Sequence, residues 1–196
     1  MRSRAPGLVT VVSMLLVVSP AWATTYTVDK DHTTVGFAVR HLFSNVKGTF
    51  DDFDGSFDYV PGKPEQWNVT ATVKAASIDT RVEKRDNHLR SKDFFEVETY
   101  PTLTFKSTEV TDATATTAQL HGLLMIHGVE KPVVFDLQIH GEGKDPWGNV
   151  RSGVTATTKI HRKDFGLTWN APLEAGGVLV GDEVDIILEV EGIAKS

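Results

Sequence analysis

Hydrophobic and polar positions alternate along most of the chain. Val35, Phe37 and Val39 alternate with Thr34, Gly36 and Ala38, while Phe53, Phe57 and Tyr59 share one parity. Trp67, Val69, Ala71 and Val73 oppose Asn68, Thr70 and Thr72; Val133, Phe135, Leu137 and Ile139 oppose Asp136 and Gln138. Val184, Ile186, Leu188 and Val190 oppose Asp185 and Glu189. A period of two is the signature of strands with one buried face. Eight strands are predicted, at about 33–41, 46–59, 66–76, 101–110, 116–127, 132–142, 149–161 and 182–193. Turn chemistry marks the gaps at Pro61-Gly62-Lys63-Pro64, at His127-Gly128 and at Asp145-Pro146-Trp147-Gly148-Asn149. Short links make consecutive strands antiparallel neighbours, because a parallel pair needs a long crossover.

Two segments break the alternation. Residues 77–100 are charged, and Arg81–Arg90 reads as a helix whose apolar positions, Val82 and Leu89, are seven apart and share a face. Residues 162–181 are rich in glycine and proline. Loops of that length tend to be functional. Eight antiparallel strands close either as a sandwich or as a barrel, and closure removes exposed edges. An eight-stranded barrel has an interior that side chains fill or that one small ligand occupies. If the barrel closes, Phe37, Val39, Trp67, Val69, Val73, Phe105, Phe135 and Leu137 point into one shared apolar interior.

The first 23 residues read as a leader rather than as part of the fold. Arg2 and Arg4 precede the apolar run Leu8–Val18, and Ala21-Trp22-Ala23 has the small-x-small cleavage pattern. The run is too short to span a bilayer, where about 20 residues are needed. Cleavage after Ala23 leaves residues 24–196 as a single domain in an exported, periplasmic chain. The net charge of −6 becomes more acidic once the two arginines are removed, which argues against nucleic acid as a partner. The absence of cysteine excludes disulfides, thiolate catalysis and a lipobox anchor.

Candidate chemistry is sparse. Of the seven histidines, His121 and His127 are the closest pair of equal parity on one strand; six residues separate them by roughly 20 Å, too far for a shared metal. His41 has the parity of Phe37 and Val39, so it is a polar group at one end of an apolar wall: a contact for a ligand's head, or a buried histidine satisfied by a backbone group. Arg81, Lys84, Arg85, Arg90 and Lys92 interleave with Asp79, Glu83, Asp86 and Asp93. They form either a solvated helix face or, through Arg85, a clamp at a barrel mouth. Arg162 with Asp164 is a strand-end ion pair or a second clamp. Of the adjacent Phe94 and Phe95, one plugs the core and the other lines an entrance. No Gly-x-Ser-x-Gly elbow, phosphate loop or supported carboxylate pair occurs.

Several short motifs recur in an order that resembles one family. They are Asp31-His32-Thr33-Thr34-Val35-Gly36-Phe37, Gly48-Thr49-Phe50, Ser77-Ile78-Asp79-Thr80, Lys84-Arg85-Asp86-Asn87-His88-Leu89, Tyr100-Pro101 and Arg162-Lys163-Asp164-Phe165-Gly166. Together, over residues 24–193, the chain resembles the YceI family of polyisoprenoid-binding proteins; His161 departs from the small polar residue expected before Arg162. The resemblance implies an all-β, eight-stranded antiparallel lipocalin-like barrel with a short helix and loop insertion near 77–100. It implies an elongated apolar lumen, a long-chain amphiphile such as a polyisoprenoid or isoprenoid quinone as ligand, and transport rather than catalysis. No catalytic residue, metal or cofactor is expected. Phe37, Val39, His41, Trp67, Val69, Val73, Arg85, Phe94, Phe95, Phe105, Phe135, Leu137, Arg162 and Phe165 are the candidate ligand-binding set. A homodimer and transient membrane contact are compatible with this reading. Its competitors are a barrel enzyme acting on a hydrophobic substrate and a stress-induced protein with a filled barrel.

Overall fold

A computed structural model describes residues 23–173 and 177–195. The expected leader therefore lies outside the described residues, Ala23 excepted. The strands are β1 (Thr24–Val28), β2 (Thr34–His41), β3 (Ser44–Phe50), β4 (Phe53–Tyr59), β5 (Asn68–Lys74), β6 (Ile78–Asp79), β7 (Thr102–Thr111), β8 (Thr117–Ile126), β9 (Val129–Lys144), β10 (Val150–His161) and β11 (Val180–Ala194), with one helix, α1 (Glu83–Arg90). All pairings are antiparallel, in the order β1-β4-β5-β7-β8-β9-β10-β11-β2-β3-β6, and β1 also pairs with β11 to close the ring.

Eleven strands make eight staves because three staves are broken. β11 takes β1 alongside Gly192–Ala194 and β2 alongside Val180–Glu189, so β1 and β2 are two halves of one stave. The 3-10 turn Lys30–His32 interrupts it, capped by the Asp29 carboxylate, which accepts from Asp31 N. The predicted strand 46–59 is likewise two strands, broken at Asp51-Asp52: β3 pairs with β2 and β6, and β4 with β1 and β5. β5 and β6 form the third broken stave. β1 and β6 escape a reading by alternation because each is too short to show a period.

The alternation sets the inner wall. Val35, Phe37, Val39 and His41 of β2 face inward, as do Phe135, Leu137 and Ile139 of β9. β11 has 15 residues; at about 3.3 Å per residue and a tilt of about 40° this makes a barrel roughly 35–40 Å tall. One end is floored by aromatics: Tyr26 stacks on Phe57 at 5.0 Å, Tyr59 meets Trp67 in a tilted contact at 5.0 Å, and the Trp67 indole donates to Val60 O at 2.7 Å. Burial and the adjoining Glu142 carboxylate, to which the Tyr26 hydroxyl donates, push the Tyr26 phenol up.

The other end carries α1 and both long loops. α1 begins at Glu83, two residues later than predicted, with Val82 as an extended N-cap. Val82 is accordingly 47% exposed, not packed in a stripe with Leu89. The helix is tied down by polar bonds instead. The buried Asp86 carboxylate accepts from Thr80 N (2.9 Å) and Thr80 Oγ1 (2.5 Å), and Arg90 donates to Ala76 O (2.8 Å) and Ile78 O (2.7 Å). The second loop folds onto the first: the Trp169 ring meets His88 at 4.8 Å and Phe94 at 5.2 Å.

Candidate functional site

A cavity of about 1000 Å³ occupies the barrel. That is at the upper end of the range of small-molecule pockets. It exists because large inward rings lie flat on glycines instead of meeting across the lumen. A Cβ on Gly48 would stand 2.5 Å from Phe37 Cζ, one on Gly122 2.3 Å from Phe105 Cζ, and one on Gly192 2.6 Å from Phe57 Cε1. Real Cβ atoms do not approach so closely, so each glycine reserves the wall space that its neighbouring ring takes up.

Most of the predicted set comes together on this cavity. Phe37, Val39, His41, Trp67, Val69, Val73, Arg85, Phe94, Phe95, Phe105, Phe135, Leu137 and Arg162 all line it. Both adjacent phenylalanines do so, because the turns after α1 direct Phe94 against Trp169 and Phe95 against Phe50, whose ring it meets at 5.7 Å. Phe165 is the correction. It ends a 3-10 turn and is 2% exposed, packed against Leu124, Ile126, Ile160 and Leu167, which themselves line the cavity. It does not line the cavity, and reads as core.

The lining is apolar in the middle and basic at the α1 end, where His41, Lys84, Arg85, His88 and Arg162 contribute. Asp54 and Asp58 also border it, but they lie on the other parity of β4 and turn outward, Asp54 to Lys30 Nζ at 3.0 Å and Asp58 to the Thr25 hydroxyl at 2.6 Å. Arg85 is braced by Thr80, donating to its hydroxyl (2.7 Å) and its carbonyl (2.8 Å). Val82 and Lys84 line the cavity while exposed, so the interior reaches solvent beside α1.

Arg162 makes no ion pair with Asp164. It is 4% exposed and donates to Gly181 O (2.8 Å), Leu167 O (2.5 Å) and Trp169 O (3.0 Å), pinning the loop after β10 to the start of β11. Its Nη2 is buried without a partner among the described residues. Burial works against the charge on this guanidinium and pulls its pKa down, with Asp182 opposing. A buried, half-satisfied cation on a cavity wall is a costly arrangement and suits an acceptor group arriving from inside.

One acid cluster lies elsewhere. Asp29, His32 and Glu191 bring ligand atoms within 4.8 Å of one another, but Arg151 Nη1 already sits 2.5 Å from both carboxylates. The sequence reading missed this cluster, which joins residues far apart in the chain. It also left Gly122 and Gly192 unassigned as wall positions, since glycine carries no periodic signal.

The sequence profile of the YceI-like domain matches residues 26–192. The chain belongs to the YceI-like domain family. A UPF0312 protein of Azotobacter vinelandii is 42% identical over 186 residues, spanning 93% of this chain and 94% of that one. The crystal structure of the Campylobacter jejuni YCEI protein matches with a TM-score of 0.70 at 33% identity, covering 80% of this chain and 90% of that chain. The polyisoprenoid binding domain from Saccharophagus degradans, implicated in plant cell wall breakdown, shares the fold with a TM-score of 0.64 at 17% identity, covering 87% of this chain and 98% of that chain. As a YceI-like barrel the chain thus has its family's fold, and its own cavity geometry carries the functional argument.

Proposed function

We propose that this chain binds a long-chain amphiphile, a polyisoprenoid or isoprenoid quinone, with its tail along the barrel and its polar head at the α1 end. The observation that carries the reading is the cavity itself: about 1000 Å³, apolar through its length, with basic groups at one end. An apolar chain gains about 0.8 kcal/mol per methylene on leaving water, and ordering the chain offsets part of that. The aromatic floor limits how deep the tail runs. The buried Arg162 Nη2 and the braced Arg85 supply donors for a carbonyl or phosphate oxygen.

Binding fits this site better than turnover. Several polar groups on the wall are engaged in holding the fold: Arg85 bonds to Thr80, Arg162 through Nε and Nη1 to three carbonyls, and His88 Nε2 to Asp93 at 2.8 Å. The leader-like N-terminus supports export, and a carrier that shields a tail from water belongs in an aqueous compartment such as the periplasm.

Titration of the delipidated protein with a long and a short polyprenyl alcohol, followed by tryptophan fluorescence, tests the reading. Saturable one-to-one binding that strengthens with chain length is expected. Absence of saturable binding to either would overturn it.

A further inference from the structure

The α1 end of the barrel carries a second feature that the cavity does not explain. Four of the seven exposed large apolar side chains among the described residues lie there: Leu42, Phe43, Val82 and Val178. Val134 and Ile187 are scattered on the outer wall, and Trp147 stands alone at the opposite end. Phe43 is 90% exposed and Val178 55%. The two segments that carry them are joined, since Leu42 N donates to Leu179 O at 3.0 Å. β6 pairs with β3 (Thr49↔Asp79), which leads the chain to Val82 beside the same hairpin, and Val82 is itself a lining residue at the cavity opening.

The hairpin tip is chemically misplaced for folding alone. His41 pairs with Ser44, which leaves Leu42-Phe43 as a two-residue turn, and Leu42 has φ 49°. Such turns favour Asn-Gly, because left-handed backbone strains a branched residue. A strained Leu followed by a solvated Phe contradicts local preference, and such contradictions mark functional positions.

Charge points to the occupant. Arg40, Lys47, Arg81 and Lys84 surround these side chains, are exposed, and enter no ion pair among the described residues. The acids on the neighbouring segments are Asp79, Glu83, Asp182 and Glu183; Asp79 accepts from Arg81 N at 2.6 Å, Asp182 accepts from Lys163 N at 3.2 Å, and Glu183 pairs with Lys159 at 2.6 Å. A basic, apolar-tipped rim on a chain of net charge −6 is complementary to an anionic lipid surface.

We infer that the rim formed by Leu42, Phe43, Val82 and Val178, with its flanking basic residues, docks the barrel mouth onto a bilayer containing anionic phospholipid. The apolar tips enter the headgroup boundary while the cations meet phosphates. The cavity opening then faces the bilayer, so that an apolar ligand crosses without meeting bulk water. This inference rests on the proposed carrier function for its purpose, though the docking surface is separately measurable.

The test is vesicle co-sedimentation of the full mature protein with phosphatidylcholine vesicles, with and without roughly 30 mol% phosphatidylglycerol. Alongside it, binding of a fluorescent apolar probe is measured in vesicle-free solution. The wild type is expected to sediment with the anionic vesicles and to be released by salt. Phe43→Ser with Val178→Ser, and separately Arg40→Glu with Lys47→Glu, are expected to weaken sedimentation by about tenfold or more, leaving probe binding and melting temperature unchanged. All four positions are at the surface, so folding is not at risk. Wild-type partitioning of both variants, or no sedimentation of the wild type, would overturn the docking inference. Normal sedimentation without probe binding would uphold the docking surface and sink the carrier reading instead.

Discussion

The Phe37 ring occupies the space above Gly48: the two residues are cross-strand partners on β2 and β3, and a Cβ at Gly48 would lie 2.5 Å from Phe37 Cζ and 2.9 Å from Asp79 O. The glycine lets the ring lie along the wall, which keeps the lumen open at its mid-height. Gly48→Val is expected to drive the ring inward and to destabilise the fold by about 1–3 kcal/mol. Phe37→Leu in the same chain should recover the part of that loss that comes from the ring, leaving the part that comes from Asp79 O, and the two changes should therefore be non-additive. Urea denaturation of the two single variants and the double variant measures it; strictly additive effects would refute the contact.

Phe165 separates core from lumen. At 2% exposure it packs with Leu124 and Leu167, which line the cavity while Phe165 itself does not. Phe165→Ala is expected to cost about 3–5 kcal/mol of stability, while the folded fraction binds an apolar probe as the wild type does. A tenfold loss of probe affinity in the folded protein would return Phe165 to the ligand site.

The Arg151 cluster gives the pH dependence. Arg151 bonds to Asp145 and holds its carboxyl well below the usual carboxylate range; its bond to Asp29 also lowers that carboxyl, against the opposing effect of burial. Both carboxylates have folded pKa values below their unfolded ones. Their contribution to stability is therefore complete above the unfolded value, about 3.9, and is lost as pH falls through the folded values. The melting temperature of the wild type is expected to drop below about pH 4, and Arg151→Met, already less stable at pH 7, to show a shallower drop. Parallel curves for the two proteins would show that the cluster is not the source.

Alternation made most of the barrel readable in advance, because a period of two with one apolar face specifies both a strand and the direction of its side chains. The inner parity of Phe37, Val39, Trp67, Val69, Phe105, Phe135 and Leu137 was visible for that reason. What alternation could not show was pairing between distant segments. The split staves at Lys30–His32 and Asp51-Asp52, the bonding of Arg151 to Asp29, and the seating of rings on Gly48 and Gly122 all depend on which strands become neighbours. Phe165 is expected at the site as an aromatic of the Arg162–Gly166 motif, which carries no direction for its ring; the structure buries it, while Arg162, in the same turn, borders the cavity. The two breaks in alternation, residues 77–100 and 162–181, meet at one end, where His88 and Phe94 contact Trp169.

The central claim is that the lumen is hollow and holds an apolar chain, and Val39→Trp tests it most directly. Val39 faces the cavity beside Phe37. In a hollow barrel the indole takes ligand space at little cost, whereas in a packed one it overfills the core at about 1–3 kcal/mol or more. The measurement is mass spectrometry of lipid extracted from natively purified wild type and variant, with the melting temperature of each after delipidation. The account predicts a long-chain isoprenoid lipid in the wild type, its loss in Val39→Trp, and closely similar melting temperatures. A lipid-free wild type together with a strongly destabilised variant would contradict it.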